Sequence, residues 1–247
     1  MKLNNIKKII VIASGKGGVG KSTIAANLAL SLSRAGNNVG LLDADIYGPS
    51  VAKIFDIDEK PVVENGFFIP IVRCGIKLMS MGFLVSEDAA LIWRGPMITK
   101  ALHQLFQSTK WGGETNDPLD YLIVDTPPGT GDIHLTIAKS YDIDSAIIIT
   151  TPHELSVIDA FKTYDLFKKL NVKVGGVMEN MSYVIEENSK KKLYIFGESK
   201  LDKYCVKHGV KILAKIPFLP LLRDKILTNK TDSKNTYDIF NEVIKVI

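Results

Sequence analysis

Cysteine is scarce in this sequence: Cys74 and Cys205 are the only two among 247 residues. Two distant cysteines cannot build the disulfide framework of a small secreted protein, and they suit a reducing compartment. Long apolar runs are missing as well, because no stretch approaches the roughly 18 residues that a transmembrane helix needs. We therefore expect a soluble protein located in the cytoplasm, with no membrane among its partners.

A large excess of one charge is also absent. The chain has 31 Lys and Arg against 27 Asp and Glu, a net charge of +4, and its lysines occur in short runs such as 190–192. Short basic runs usually form solvated surface rather than a nucleic-acid interface. We accordingly expect no nucleic-acid partner. The 46% hydrophobic content is sufficient for one well-buried domain spanning residues 1–247.

Short apolar runs rich in β-branched residues alternate with stretches of helical spacing. The predicted strands lie within 8–14, 38–45, 120–127, 145–152, 172–181 and 210–217, and the clearest predicted helices within 21–36 and 153–170. Strands that are apolar on both faces and alternate with helices are typical of a parallel sheet covered on both sides. The predicted fold class is α/β, with a mostly parallel sheet and helices on both faces.

Two regions interrupt this alternation. Residues 61–81 predict a small excursion of extended segments around a Glu-Asn-Gly turn, and residues 183–196 predict a hairpin with a charged tip. The tail from residue 229 to 247 ends in an amphipathic stretch without the basic face of a membrane-surface helix. We expect that tail helix to pack against the domain.

A phosphate-binding loop is predicted near the N-terminus. The sequence from Gly15 to Ser22 fits G-x-x-x-x-G-K-[ST] between a predicted strand and a predicted helix, which is the context that makes this motif specific. Backbone N–H groups of such a loop turn toward phosphate oxygens, Lys21 reaches the terminal phosphates, and the Ser22 hydroxyl ligates Mg²⁺. The predicted ATP-binding residues of the loop are Gly15, Lys16, Gly17, Gly18, Val19, Gly20, Lys21, Ser22 and Thr23.

Carboxylates follow two of the predicted strands. Asp125 comes after four apolar residues, as expected of an acid that holds Mg²⁺ through water, and the glycine-rich segment behind it resembles a switch loop. Asp43 and Asp45 end another strand and would face opposite ways in an extended chain. We expect Asp45 to orient the attacking water and Asp43 to lie in the outer shell of Mg²⁺, although the spacing alone leaves the reverse assignment open.

The loop contains one lysine more than phosphate binding requires. The stretch GKGGVGKST resembles the deviant Walker A loop of the ParA/MinD class of P-loop ATPases, in which the early lysine reaches across a dimer. The resemblance implies that Lys16 acts in trans at the γ-phosphate of the partner subunit, much as an arginine finger does. The predicted catalytic residues are Lys16, Lys21 and Asp45, in a homodimer that forms with nucleotide.

Further motifs narrow the resemblance within this class. The stretches LLDADIYGPS, IWRGPM, DYLIVDTPPGTGD, ENMSY and IFGES resemble the Mrp/NBP35 family of iron–sulfur cluster carrier ATPases. This resemblance implies a homodimer that selects adenine through Asn180, hydrolyses ATP slowly and passes clusters to apoproteins. The implied cofactors are ATP, Mg²⁺ and a [4Fe–4S] cluster. The implied partners are apo iron–sulfur proteins or cluster scaffold proteins.

The family's cluster ligands are missing from this chain. The family has a CxxC motif shortly after NMSY, so that two subunits supply the four thiolates of a [4Fe–4S] cluster. Here Glu186 and Ser189 stand at those places, and oxygen ligands are poor substitutes for thiolate at iron. Of the two cysteines, Cys205 is the candidate for a relocated ligand, because it follows the altered hairpin.

Two other functions are compatible with these residues. A positioning or partition ATPase of the ParA/MinD type would use its dimer to bind DNA or membrane. A family member that has lost its own cluster site would serve as an ATP-dependent scaffold for a partner that carries the cysteines.

Overall fold

The computed structural model describes residues 1–85, 93–112, 117–186, 189, 191–218 and 234–247, with side chains in the last range from residue 239 onward. The motif IWRGPM begins at Ile92, which lies outside these residues. Within the described ranges, no helix combines the length and the apolar character needed to cross a bilayer.

An eight-stranded sheet forms the centre of the protein. Its strands are β1 (Ile6–Ser14), β2 (Val39–Asp43), β5 (Ile71–Arg73), β6 (Ile76–Ser80), β7 (Leu119–Asp125), β8 (Ser145–Thr150), β9 (Val174–Glu179) and β12 (Ile212–Lys215). They lie in the order β12-β9-β8-β1-β7-β2-β6-β5, and only the β5–β6 pair is antiparallel. The predicted mostly parallel sheet is therefore confirmed, and the carboxyl ends of β1, β2, β7 and β9 meet at one edge.

Helices cover both faces of this sheet. They are α1 (Lys21–Arg34), α2 (Val51–Ile54), α3 (Met81–Leu84), α4 (Gly95–Gln107), α5 (Asp132–Ser140), α6 (Glu154–Lys169), α7 (Leu201–His208) and α8 (Lys234–Ile244). Alternate residues of β1 divide between two cores: Ile10 and Ile12 pack with α1 and α8, whereas Ile9 and Val11 pack with α4. This alternation explains why the strand is apolar along its whole length.

The excursion predicted for residues 61–81 is only partly separate from the sheet. Strands β3 (Val62–Glu64) and β4 (Phe67–Ile69) form a hairpin around Asn65 and Gly66, whose φ angles of 51° and 80° suit a type I′ turn. The rest of the prediction is wrong, because β6 pairs with β2 in parallel and extends the main sheet. That pairing joins residues far apart in sequence, which local turn signals cannot reveal.

The other two local predictions are confirmed. Strands β10 (Val184–Ile185) and β11 (Lys192–Leu193) form the predicted antiparallel hairpin. The C-terminal helix α8 packs on the domain through Phe240 and Val243, which are fully buried in the core that contains α1.

Helix α5 follows the glycine-rich loop after β7 and is anchored to the sheet by His134. The Thr126 hydroxyl donates to the Ile12 carbonyl (2.9 Å) and lies 3.0 Å from His134 Nε2. Since that hydroxyl has one hydrogen, Nε2 must donate to it, which leaves Nδ1 unprotonated and without a partner among the described residues. Burial, with a further contribution from Lys21, lowers the pKa of His134 to about 4.

We expect His134 to make the protein sensitive to acid. The unfolded chain protonates His134 below its ordinary pKa of 6.5, whereas the folded protein resists protonation until about pH 4. The contribution of this histidine to stability therefore falls as the pH falls through this window. Between pH 7 and pH 5 that contribution falls by about 2 kcal/mol, so the change in unfolding free energy between the two pH values should differ by about this amount between wild type and His134→Gln, which retains an N–H donor. Denaturant titrations at both pH values measure the difference, with the exposed His153→Gln as the control. Equal losses in wild type and His134→Gln would show that His134 is not held neutral.

Candidate functional site

The P-loop connects β1 to α1 at the carboxyl edge of the sheet. Strand β1 ends at Ser14 and helix α1 begins at Lys21. A Cβ atom on Gly15 would lie 2.1 Å from the carbonyl carbon of Asp159 in α6, so no larger residue fits there. Gly20 has a φ of 81°, a left-handed conformation that favours glycine. Packing and backbone conformation therefore require these two glycines independently of any ligand.

A cavity of about 370 Å³ opens over this loop. It is lined by Ser14, Lys16, Gly17, Gly18, Val19, Gly20, Lys21, Ser22, Thr23, Asp45, Gly48, Ser50, Ile54 and Pro128. Eight of the ten residues predicted to bind ATP are in this lining, and Gly15 and Asn180 are not. The helix that starts beneath the cavity directs its N-terminus and backbone N–H groups toward it, as a phosphate group requires.

A buried ion pair closes the floor of the cavity. Lys21 Nζ lies 2.6 Å from Asp125 Oδ1, and the side chains are 7% and 0% exposed. Burial raises the pKa of Asp125 above its ordinary value, while the charge of Lys21 opposes that shift. The opposite charges of the lysine and the carboxylate thus offset the desolvation penalty that either buried charge alone would have.

The oxygen atoms near this ion pair suit a magnesium ion. Asp125 Oδ2 is buried and makes no hydrogen bond within the described residues, while the neighbouring Ser22 hydroxyl acts to lower the pKa of this carboxyl. Ser22 Oγ in turn lies 3.1 Å from Ser50 Oγ. Mg²⁺ prefers hard oxygen ligands and retains several waters, so a hydroxyl beside an unpartnered carboxylate oxygen fits this ion.

Asp43 has a structural role in the loop that follows β2. Its carboxylate accepts hydrogen bonds from the backbone N–H groups of Asp45 (3.1 Å), Ser50 (2.9 Å) and Val51 (3.1 Å). Burial, reinforced by the charge of Asp125, raises the pKa of Asp43 to about 7. Asp43 is absent from the lining of the P-loop cavity, so these contacts lend no support to the outer-shell position predicted for it.

Asp45 lies in the loop and lines the cavity. Its Oδ1 atom accepts from the backbone N–H groups of Tyr47 (3.2 Å) and Gly48 (3.1 Å). Because β2 ends at Asp43, the alternation of a strand no longer dictates where Asp45 faces. Asp43 and Asp45 therefore have different surroundings because the first ends the strand and the second lies in the loop after it.

Lys16 and Asn180 have different positions relative to the loop. Lys16 is half-buried, lines the cavity, and forms no ion pair within the described parts of the chain. Asn180 is 6% exposed, and its Nδ2 donates to the Val19 carbonyl of the P-loop (2.9 Å). Asn180 thus braces the loop from the end of β9, a contact that the sequence did not predict.

The hairpin that corresponds to the family's cluster site contains no thiolate. Glu186 and Ser189 are exposed, and the Ser189 hydroxyl donates to the Glu186 carboxylate. Across the described ranges, no group of three or more His, Cys, Asp or Glu side chains is arranged to hold a metal ion. The hairpin and the residues directly after it instead expose the apolar side chains Ile185, Leu193, Tyr194, Ile195 and Phe196. Phe218, whose backbone N–H donates to the Tyr183 carbonyl, is exposed as well.

Cys205 does not suit the role of a cluster ligand. It is 4% exposed and packs with Val157, Phe161 and Leu201 in an apolar cluster. Burial raises the pKa of its thiol to about 11, whereas a metal ligand must be a thiolate. Cys74 is exposed in the turn between β5 and β6, and that sheet edge is opposite to the one near Cys205.

Three polar residues near the site were given no role in the sequence analysis. Ser50 touches the Ser22 hydroxyl, His134 anchors the helix after the switch loop, and Glu179 is a buried carboxylate at the end of β9. Each makes its contact with a residue remote in sequence or across a loop. The Pro-Ser pair before α2 and the apolar run before Glu179 are sequence signals from which Ser50 and Glu179 could have been found.

Comparison with known proteins assigns this chain to a family. The model of the ParA family described as NUBPL iron-transfer P-loop NTPase matches residues 5–247. The iron-sulfur cluster carrier protein of Aquifex aeolicus is 46% identical over 227 residues, which are 91% of this chain and 61% of that protein. The protein with the same description from Rickettsia felis is 48% identical over 222 residues, 90% of this chain and 65% of its own length. The chain thus spans less than two thirds of both relatives.

Solved structures agree with this result. A nucleotide-binding protein from Archaeoglobus fulgidus, in complex with ADP, has a TM-score of 0.76 and 32% identity, covering 98% of this chain and 89% of that one. The cell division ATPase MinD of Pyrococcus furiosus has a TM-score of 0.68 and 20% identity, with coverage of 97% and 98%, and shows the shared fold alone. This chain therefore belongs to the iron-transfer P-loop NTPases, the family that its resemblance to the Mrp/NBP35 carriers predicted.

Proposed function

We propose that this protein binds ATP with Mg²⁺, closes into a homodimer and hydrolyses ATP slowly, and that this cycle serves iron–sulfur protein maturation in the cytoplasm. The observation that carries the proposal is the buried Lys21–Asp125 pair beneath a glycine loop whose second lysine, Lys16, also lines the cavity. The family match and the ADP complex of the archaeal relative support nucleotide binding at this loop.

Nucleotide binding would exchange one partner of Lys21 for another. The phosphates accept hydrogen bonds from the loop's N–H groups and draw the lysine ammonium away from Asp125 Oδ1. Ser22, through its hydroxyl, and Asp125, through water, are the residues that would hold Mg²⁺. When bound, this ion neutralises charge on the β- and γ-phosphates. Asp43 would contribute from outside the cavity by fixing Ser50, which touches Ser22.

Hydrolysis also needs an oriented water and a positive charge at the γ-phosphate. Asp45 is held by two backbone N–H groups on one oxygen, which leaves its other oxygen to accept a hydrogen bond from the attacking water. Lys16 would supply the charge to the partner subunit's nucleotide when two subunits meet face to face. Asn180, beside the loop, is the residue proposed to select adenine.

The cluster is the cargo of this cycle, and its ligands would come from the partner protein. Glu186 and Ser189 offer only oxygen atoms, and Cys205 is a buried thiol. Thiolates are the ligands that Fe–S clusters take. Apo iron–sulfur proteins and cluster scaffold proteins are therefore the partners that we propose, with this chain supplying the ATP-dependent step.

Replacing the P-loop lysine should abolish nucleotide binding. Lys21→Ala removes the cation that meets the phosphates, and we expect at least about 100-fold weaker ATP binding. It also leaves Asp125 buried without a counter-ion, which should cost about 3–5 kcal/mol of stability. A fluorescent ATP analogue measures affinity, and circular dichroism checks that the variant is folded. A folded Lys21→Ala protein with wild-type affinity would rule out this loop as the phosphate site.

The second lysine should affect turnover and dimerisation but not binding. Lys16→Ala retains Lys21 and the loop backbone, so its affinity for ATP should stay within about threefold of wild type. ATP-dependent dimers should disappear, and turnover should fall by about 10³-fold, as when an arginine finger is removed. Light scattering and phosphate release measure the two effects, with the exposed Lys60→Ala as the control. Hydrolysis at the wild-type rate by Lys16→Ala would refute the action in trans.

Cluster binding by the isolated protein should be absent. Anaerobic reconstitution with iron and sulfide, followed by visible absorbance, should give no stable chromophore for wild type or for Cys205→Ser. The double variant Glu186→Cys/Ser189→Cys, which restores the family motif, should gain one. A wild-type chromophore that is lost in Cys205→Ser would contradict the proposal that the partner supplies the thiolates.

A further inference from the structure

Glu179 is a buried carboxylate that the nucleotide mechanism does not use. It is the last residue of β9 and is 2% exposed. Its Oε2 atom accepts a hydrogen bond from the Ser182 hydroxyl, and its Oε1 atom accepts one from the Ser199 hydroxyl. Among the described residues no ion pair within 4 Å involves Glu179, and these two hydroxyls, together with the more distant charge of Lys215, offset the cost of burying its charge.

The two serines lie on either side of the hairpin in the sequence. Ser182 comes two residues before β10, and Ser199 lies six residues after the end of β11, so the segment that contains the hairpin begins and ends at the same carboxylate. Ser199 Oγ also accepts from the Leu201 backbone N–H (3.1 Å) at the start of α7. One side chain therefore holds both ends of the segment 182–199, which contains the β10–β11 hairpin, and contacts it next to the start of α7.

The residue after Glu179 contacts the nucleotide loop. Asn180 Nδ2 donates to the Val19 carbonyl (2.9 Å), and the Asn180 backbone N–H donates to the Thr150 carbonyl of β8 (2.8 Å). The fit against the loop is tight, because a Cβ atom on Gly20 would lie 2.3 Å from Asn180 Nδ2. Two consecutive residues thus connect the P-loop with the ends of the segment 182–199.

We propose that Glu179 is a positioning residue that couples the β10–β11 hairpin to nucleotide occupancy of the P-loop. This inference rests on nucleotide binding at the loop, as proposed above. When phosphates bind to the loop's N–H groups, a shift of the Val19 carbonyl is passed through Asn180 to the end of β9. Because Glu179 holds both ends of the segment 182–199, the hairpin within that segment follows the movement of β9. Such a coupling is a free energy shared by the two sites, and it is measurable at either of them.

Hydrogen–deuterium exchange of the hairpin tests this coupling. In wild type, ATP with Mg²⁺ should change the exchange rate of β10 and β11 amides by at least about fivefold, the lower end of typical coupling between sites. Glu179→Met keeps the length of the side chain but accepts no hydrogen bond, and it should remove this response. Glu179→Gln keeps one acceptor and should restore it in part. The exposed Glu198→Met, on the same segment, is the matched control.

The nucleotide response separates coupling from a purely structural role. If Glu179 had only a structural role, replacing it would raise the exchange rate of the hairpin amides equally with and without ATP. The ratio of the two rates would then stay at the wild-type value. An unchanged ratio in Glu179→Met or, if that variant does not fold, in Glu179→Gln would overturn the proposal, as would an equal loss in Glu198→Met. A wild-type hairpin that ignores bound ATP would overturn it too. Failure of wild type to bind ATP, seen in a separate titration, would instead refute the proposed function on which the coupling rests.

Discussion

The buried ion pair between Lys21 and Asp125 is the contact on which the nucleotide site depends. Lys21 is the first residue of α1 and Asp125 is the last of β7, so their 2.6 Å contact joins the P-loop to the neighbouring strand. Each charge alone in this place would cost several kcal/mol. The pair therefore ties the start of α1 to the end of β7. In the proposed function, a phosphate that binds the Lys21 ammonium would leave the Asp125 carboxylate in need of another cation, which suits Mg²⁺.

The constraints on this loop differ from those on the hairpin. Gly15 lies against the backbone of Asp159, and Gly20 lies against Asn180, so a larger residue at either place would collide with its neighbours. Glu186 and Ser189, in contrast, are exposed on the hairpin, where core packing does not determine the side chain. Packing thus constrains the glycines of the P-loop but not the positions of the family's cluster ligands. A P-loop protein of this fold can therefore lack those ligands and keep the P-loop unchanged.

The sequence predicted those parts of the site that are local. The loop from Gly15 to Thr23 and the acid Asp125 were predictable because the motif and its strand–helix context are contiguous in the chain. The surroundings of Asp43 and Asp45 were not, because they depend on β2 ending at Asp43. Strand β6 could not be placed either, since its pairing with β2 joins segments more than 30 residues apart. Such pairings arise from tertiary packing, which short patterns do not encode.

The end of β9 has one feature that a short sequence pattern predicts and others that depend on tertiary contacts. Its apolar run made the strand predictable, but the polar residues that follow it have meaning only through their distant partners. Because β9 ends at Glu179 and Asn180 begins the turn that follows, the two side chains reach different partners: Glu179 contacts the serines on either side of the hairpin, and Asn180 contacts Val19. The end of β9 thus contacts both the P-loop, through Asn180, and the segment with the hairpin, through Glu179, and neither side chain contacts both. This geometry lets a nucleotide loop that is fixed by packing be linked to a hairpin whose exposed side chains are free to differ.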